Sequence, residues 1–218
     1  MSAVSQTQIL PENRVHRYSF GERLNHWIGA ASYIYCLLTG LAFWSPWLFW
    51  LVYAMGGGQI SRTLHPWIGL IFFYTTMRMH NYWSSQMHME SRDKEWLNSI
   101  GNYIQNQDEK MPHAGKYNAG QKILFWSFFY GVILLLLTGL VLWFPEYISW
   151  NFRWLRYISV FLHPVVALFT IANFLIHIYM SVFAEKGALD AAVYGDVSEE
   201  FVRRYHPGWW EEIRRSRE

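Results

Sequence analysis

From Tyr157 to Phe183 the chain runs for 27 residues without one Asp, Glu, Lys or Arg. A bilayer core about 30 Å thick is crossed by about 20 apolar residues in a helix. This stretch exceeds a straight crossing, so it must tilt or protrude. Three more runs qualify. One covers 24–44, carries no charge and is closed by Pro46. One covers 64–83 with a single charge, Arg78, near its end. The third covers 122–144 between Lys122 and Pro145, and the long run is assigned 155–183. All four are continuously apolar rather than alternating, which excludes barrel strands. Trp47 to Met55 is apolar too but too short to span, and is expected in the interface or packed against a partner. The predicted fold is all-α, an integral membrane four-helix bundle, with residues 1–218 as one domain. Charged residues make up 16% of the chain, against about 25% in soluble domains. The 13 Trp suit the two membrane interfaces, where an indole keeps its polar edge wet.

Basic residues orient the spans. The N-terminal arm, the 84–121 loop and the C-terminal tail share one side, and that side holds 15 of the 18 Lys and Arg, with Arg78 and Lys122 counted as snorkelling toward it. The other side holds Arg62, Arg153 and Arg156. The positive-inside rule places both termini in the cytoplasm, and a bacterial inner membrane is the expected setting. Met1 to Asn13 lacks the pattern of a signal peptide, so the first span is expected to direct insertion. A net charge of +2 gives no reason to expect nucleic acid as a partner. Cys36 is the single cysteine, which excludes an internal disulfide and an all-cysteine metal site.

Ionisable groups within spans are costly and mark function. His26 stands at the cytoplasmic start of the first span and His65 at the periplasmic start of the second. His163 and His177 are both on the fourth, 14 residues apart. That is about 21 Å of rise and about 40° short of whole turns, so both rings leave nearly the same face. His26 and His177 therefore share the cytoplasmic depth, and His65 and His163 the periplasmic depth. Two His on facing helices at one depth can ligate one haem iron from both sides. The expected cofactors are two haem b, carried as an electron wire through the membrane. Proton relays and metal transporters also use membrane His but normally need carboxylates in the spans, and these spans have none. His80 lies near the cytoplasmic depth and is the rival of His26; its flanks, Arg78 and Asn81, favour an interface residue. His16, His88, His113 and His206 are read as solvated residues of arms and loops.

Glycines at 29, 40, 69, 131 and 139 either admit a macrocycle edge or allow close helix packing. Arg23, Arg62, Arg78 and Arg156 sit at interface depths, where headgroup anchoring competes with pairing to propionates. Gly115 to Lys122 forms a polar entrance to the third span. Asn118 reads as a helix N-cap, and the amides after it could also donate to a quinone carbonyl.

These residues resemble the cytochrome b (gamma) subunit of the respiratory formate dehydrogenases, from about Arg17 to Ile213. The specific pieces are Arg62-Thr63-Leu64-His65-Pro66, Gly115 to Lys122 with Phe125-Trp126, Ile176 to Met180 before Lys186-Gly187, and the tail from Val197-Ser198 through His206-Pro207 to Ile213. The cytochrome b subunits of membrane-bound nickel–iron hydrogenases are related and share the helix plan. The resemblance implies His26 and His177 as ligands of the cytoplasmic-side haem, and His65 and His163 as ligands of the periplasmic-side haem. It implies menaquinone or ubiquinone as substrate near Asn118, Gly120 and His177. It further implies an iron–sulfur subunit on the periplasmic face, a molybdenum- or tungsten-containing catalytic subunit, contact with membrane lipid, and a higher oligomer of the complex. Formate would be oxidised in the catalytic subunit, and this chain would be the quinone-reducing electron-transfer subunit. The tail departs from the family pattern in its acids, Glu185, Asp190, Asp196, Glu199 and Glu200. Hydrogenase or another molybdo-enzyme remains the alternative complex, and a scaffold without redox function the alternative class.

Overall fold

The computed structural model describes residues 9–10, 13–105 and 107–216. Most of the N-terminal arm before Asn13 and Arg217 of the basic count lie outside them. Four long helices dominate: α1 (Phe20–Trp44), α2 (Gly58–Trp83), α3 (Ala119–Trp143) and α4 (Trp154–Ile178). Their ends follow local chemistry. Ser19 and Glu22 cap α1 reciprocally: Glu22 Oε2 accepts from the Ser19 amide at 2.8 Å, and Ser19 Oγ accepts from the Glu22 amide at 3.3 Å. Pro46 follows the end of α1 and Pro145 that of α3, where a ring without an N–H cannot continue the ladder.

Two boundaries differ from the sequence expectation. α2 begins at Gly58, six residues before the apolar run does, because Arg62 and Thr63 lower hydropathy without lowering helicity. α4 ends at Ile178 and passes into a π-helical turn, Tyr179–Ala184, in which the Glu185 amide reaches the Met180 carbonyl at 3.0 Å. Among the described residues three stretches are long and apolar enough to cross a membrane: Phe20–Trp44, Ala119–Trp143 and Trp150–Ala184. α2 is equally long, but Arg62, His65, Arg78 and His80 keep its hydropathy below that level.

The chain divides into two compact units. The apolar unit comprises Leu24–Asn81 and Ser127–Leu175. Its burial is inverted relative to a water-soluble core. Asn25, Ser32, Thr39, Ser61, Thr75, Thr76, Thr138, Ser159 and Thr170 are buried, while Ile34, Ile71, Leu137, Phe161, Phe169 and Leu175 are exposed. Lipid tails solvate the exposed groups as well as a core would, and small polar residues let helices approach and bond to one another. Tyr33 of α1 joins the four helices of this unit. Its ring lies 5.2 Å from Phe72 on α2, 5.9 Å from Phe128 on α3 and 5.2 Å from Phe174 on α4, and its hydroxyl is 3.3 Å from Thr170 Oγ1.

The polar unit comprises the chain up to Arg23, Tyr82–Trp126 and Ile176 onward. Three short antiparallel strands, β1 (Ile9–Leu10), β2 (Arg14–His16) and β3 (Asp196–Ser198), pair in that order, with Val15 opposite Val197. Val15, Ala191, Val197, Phe201, Val202, Trp209 and Ile213 form its core. The acidic tail has internal partners. Asp190 and Asp196 pair with Arg14, Glu199 with Arg203, and Glu185 accepts from the Tyr103 hydroxyl at 2.5 Å.

Three sequence expectations are corrected in this unit. His206 is fully buried rather than solvated, with Nδ1 2.8 Å from the Gly115 carbonyl. Lys122 does not snorkel: it is buried, donating to Asp93 Oδ2 at 2.7 Å and to the His88 carbonyl at 3.0 Å. Arg23 donates to the Val193 carbonyl, a protein contact rather than a headgroup anchor. His16, His88 and His113 are exposed, as read.

Candidate functional site

The structure brings His65 and His163 together. Their ring centroids are 6.4 Å apart and the ring planes meet at 62°. Both stand one residue before a proline inside a helix, Pro66 in α2 and Pro164 in α4. Two imidazole nitrogens that each bound one metal at about 2 Å would leave their ring centroids about 6 Å apart. The observed spacing fits one metal held between the rings. Among the described residues no group of three or more His, Cys, Asp or Glu is placed to hold a metal ion. Two His alone do not complete a bare metal's shell, but they complete that of a haem iron, whose other four ligands belong to the macrocycle.

Each ring is held from a neighbouring helix. Thr39 Oγ1 of α1 lies 2.7 Å from His65 Nδ1, and Thr138 Oγ1 of α3 lies 2.9 Å from His163 Nδ1. The next residue is glycine in both cases. A Cβ at Gly40 would stand 3.5 Å from His65 Cε1, and one at Gly139 would stand 3.4 Å from His163 Cε1. Phe43 adds an edge contact to His65 at 5.7 Å. The other glycines of interest separate by function. Gly29 and Gly131 serve helix packing: a Cβ there would meet Thr75 Oγ1 at 2.9 Å and Thr170 Cγ2 at 3.1 Å.

Thr39 and Thr138 escaped the sequence reading. The signal was present. Leu-Leu-Thr-Gly-Leu occurs at 37–41 and again at 136–140, and Ser-x-x-Leu-His-Pro at 61–66 and again at 159–164. The His65–His163 pair is thus built from two copies of one device.

The other expected site residues are divided between the two units. His26, on α1, belongs to the apolar unit and His177, at the end of α4, to the polar unit; both are half-buried. His80 stacks on Phe129 of α3, with centroids 4.4 Å apart. Asn118 is buried and caps α3 reciprocally with Gln121: Oδ1 accepts from the Gln121 amide at 2.9 Å, and the Asn118 amide donates to Gln121 Oε1 at 3.1 Å. Gly120 packs against Trp96, whose Cη2 would be 3.3 Å from an added Cβ. Close by in the same unit, Arg17 is buried among the rings of Tyr18, Tyr117, Phe201 and Trp209, 5.4–5.7 Å from each centroid, and donates to the Lys116 carbonyl at 2.9 Å. Burial, and then the Arg17 guanidinium, lower the Lys116 ammonium to about 8.

Fold and site define a helical membrane protein with a paired-histidine centre between its helices. The sequence profile of the family described as prokaryotic cytochrome b561 matches residues 17–195, and the chain belongs to that family. Membership implies b-type haem, which the His65–His163 pair suits. The chain is 32% identical to the nitrate-inducible formate dehydrogenase cytochrome b556(Fdn) subunit of Escherichia coli K12, over 92% of each chain. It is 33% identical to the formate dehydrogenase cytochrome b556(fdo) subunit of the same organism, over 93% of this chain and 94% of that one. It is 31% identical to the formate dehydrogenase cytochrome b556 subunit of Haemophilus influenzae, over 96% of this chain and 87% of that one.

Proposed function

We propose that this chain is the dihaem cytochrome b membrane subunit of a formate dehydrogenase. Its four long helices form one bundle across a bacterial inner membrane, with both termini cytoplasmic. It accepts electrons from an iron–sulfur subunit on the periplasmic face and delivers them to quinone near the cytoplasmic face. Formate oxidation belongs to a separate molybdenum- or tungsten-containing subunit. The single observation that carries the reading is the His65–His163 pair, with ring centroids 6.4 Å apart inside the apolar unit. The naming of the relatives as formate dehydrogenase cytochrome subunits supports the choice of complex.

In this reading His65 and His163 hold the periplasmic-side haem, and His26 and His177 the cytoplasmic-side one. A bis-His haem, when bound, supplies a one-electron couple without an open coordination position. The chain's own residues do the rest. The apolar faces of the helices exclude water from the centre, and the absence of carboxylates in the spans keeps the site free of competing charge. Asn118, Gly120 and His177 are the proposed quinone contacts. Since Asn118 Oδ1 is engaged by the Gln121 amide, Nδ2 is the atom of that side chain that can donate to a quinone carbonyl.

A pyridine haemochrome assay on the purified complex should return two b haems per chain. His65→Ala and His163→Ala should each remove the same haem, and His26→Ala and His177→Ala the other. Loss of one haem from His80→Ala together with retention in His26→Ala would replace His26 by His80. No haem in the wild-type protein would end the proposal. Mass spectrometry of co-purifying subunits tests the complex, since a hydrogenase subunit in place of a formate dehydrogenase would redirect it.

A further inference from the structure

The repeated device carries more than ligand placement. Thr39 Oγ1 lies 2.8 Å from the Tyr35 carbonyl one turn back, with the Cys36 carbonyl at 3.3 Å. Thr138 Oγ1 lies 2.7 Å from the Leu134 carbonyl, with Leu135 at 3.3 Å. A hydroxyl has one hydrogen to donate and two lone pairs to accept with. In both threonines that hydrogen is committed to the α-helix's own carbonyls, which are acceptors only. The remaining contact of each oxygen, 2.7 Å to His65 Nδ1 and 2.9 Å to His163 Nδ1, must therefore be accepted from a ring N–H. A neutral imidazole protonated at Nδ1 has its lone pair at Nε2. Thr39 is wholly enclosed and Thr138 nearly so, so water does not compete for either bond.

We propose that Thr39 and Thr138 are positioning residues of the paired-histidine centre: each fixes its histidine as the Nδ1–H tautomer, aims Nε2 at the iron, and lowers the reduction potential of that haem. The proposal rests on the reading of His65 and His163 as ligands of one haem. The physical reason for the potential is ligand basicity. A hydrogen bond accepted from Nδ1–H draws the proton away from the ring and makes Nε2 a stronger donor. A stronger donor favours the ferric state. A hydroxyl is the suitable acceptor here, because a carboxylate would strengthen the effect at the cost of a charge within the membrane. The repeat makes the arrangement two-fold: each half supplies one ligand and one acceptor, so both axial bonds are tuned alike.

The test uses the intact complex with its haems, titrated potentiometrically in the α-band region, with the low-spin ferric resonance as a second readout. Thr39→Val, Thr138→Val and the double variant keep the shape and remove the acceptor; Thr39→Ser and Thr138→Ser keep the acceptor. The Val variants should retain both haems and raise one midpoint only, the one belonging to the haem that His65→Ala removes. The expected change in the reduced-to-oxidised ratio is about tenfold, about 59 mV for one electron. The double variant should shift further, and the Ser variants should return to the wild-type value. If a Val variant loses that haem, its retention at the wild-type midpoint in the Ser variant supports the proposal equally. Val variants with both haems, unchanged midpoints and unchanged resonances overturn it. A His65→Ala protein that keeps both haems refutes the ligand reading itself, whatever the threonine variants do.

Discussion

His206 stands in a polar tail, and burial decides its chemistry. Its ring is enclosed, Nδ1 meets the Gly115 carbonyl, and Nε2 has no hydrogen-bond partner. Burial, followed by the Arg17 guanidinium, lowers the imidazole well below its ordinary value. The consequence for stability has a definite sign. An unfolded His takes up its proton near pH 6.5, while the folded one resists. Below that pH the unfolded state binds more protons, so this residue's contribution is lost as the pH falls. Thermal unfolding followed by Trp fluorescence should show a melting temperature that drops between about pH 7 and 5. His206→Asn, which can still donate to Gly115, should flatten that slope while lowering the melting temperature at pH 7. An unchanged slope would show that other groups govern the acid response. The same residue marks a limit of sequence reading. A His near a Pro and among Arg, Trp and Glu looks solvated, and only the packing of Arg17, Phe201 and Trp209 around it says otherwise. Lys122 is the parallel case: at a span end it reads as a headgroup anchor, and Asp93, 29 positions away, makes it one half of a buried pair.

At the scale of elements, the helices were legible because lipid demands long apolar runs and closed backbone hydrogen bonding. Their packing was legible only in part. The five glycines carry two readings in sequence, and the structure separates four of them by neighbour. Gly29 faces Thr75 and Gly131 faces Thr170, across close helix contacts, whereas Gly40 and Gly139 lie beside the histidine rings. Gly29→Ala would push its methyl within 2.9 Å of Thr75 Oγ1, whose hydroxyl is already bonded to the Phe72 carbonyl at 2.9 Å. It should destabilise α1 against α2 by about 1–3 kcal/mol, the usual cost of overpacking. Gly40→Ala, with 3.5 Å to its nearest neighbour, should cost less in the protein freed of haem. Thermal unfolding of the two apo variants side by side checks the order; equal losses would remove the packing account of Gly29.

For the whole molecule, charge sets the expected orientation. Of 18 Lys and Arg, the 15 assigned to one side predict cytoplasmic termini. Asn151, in the α3–α4 connection, and His88, after α2, are both exposed. In a Cys36→Ala background, an impermeant maleimide should label Asn151→Cys in intact spheroplasts and His88→Cys only after the membrane is opened. The reverse pattern would invert the proposed direction of electron flow across the membrane.

What the sequence determined by itself is the membrane-helical class and, through its motifs, the family. The class follows from one-dimensional quantities, run length and charge content, and the family from the motifs that resemble it. What only the tertiary structure decided is which groups meet. Thr39 reaches His65 across 26 residues and Thr138 reaches His163 across 25. A threonine in a helix bonds its own carbonyls in any helix; the Leu-Leu-Thr-Gly-Leu repeat sets Thr39 and Thr138 apart from Thr75 and Thr170, but does not say what they meet. Their second bond exists because helix packing brings an imidazole N–H to an oxygen that still has a lone pair, and that is a property of neighbours in space.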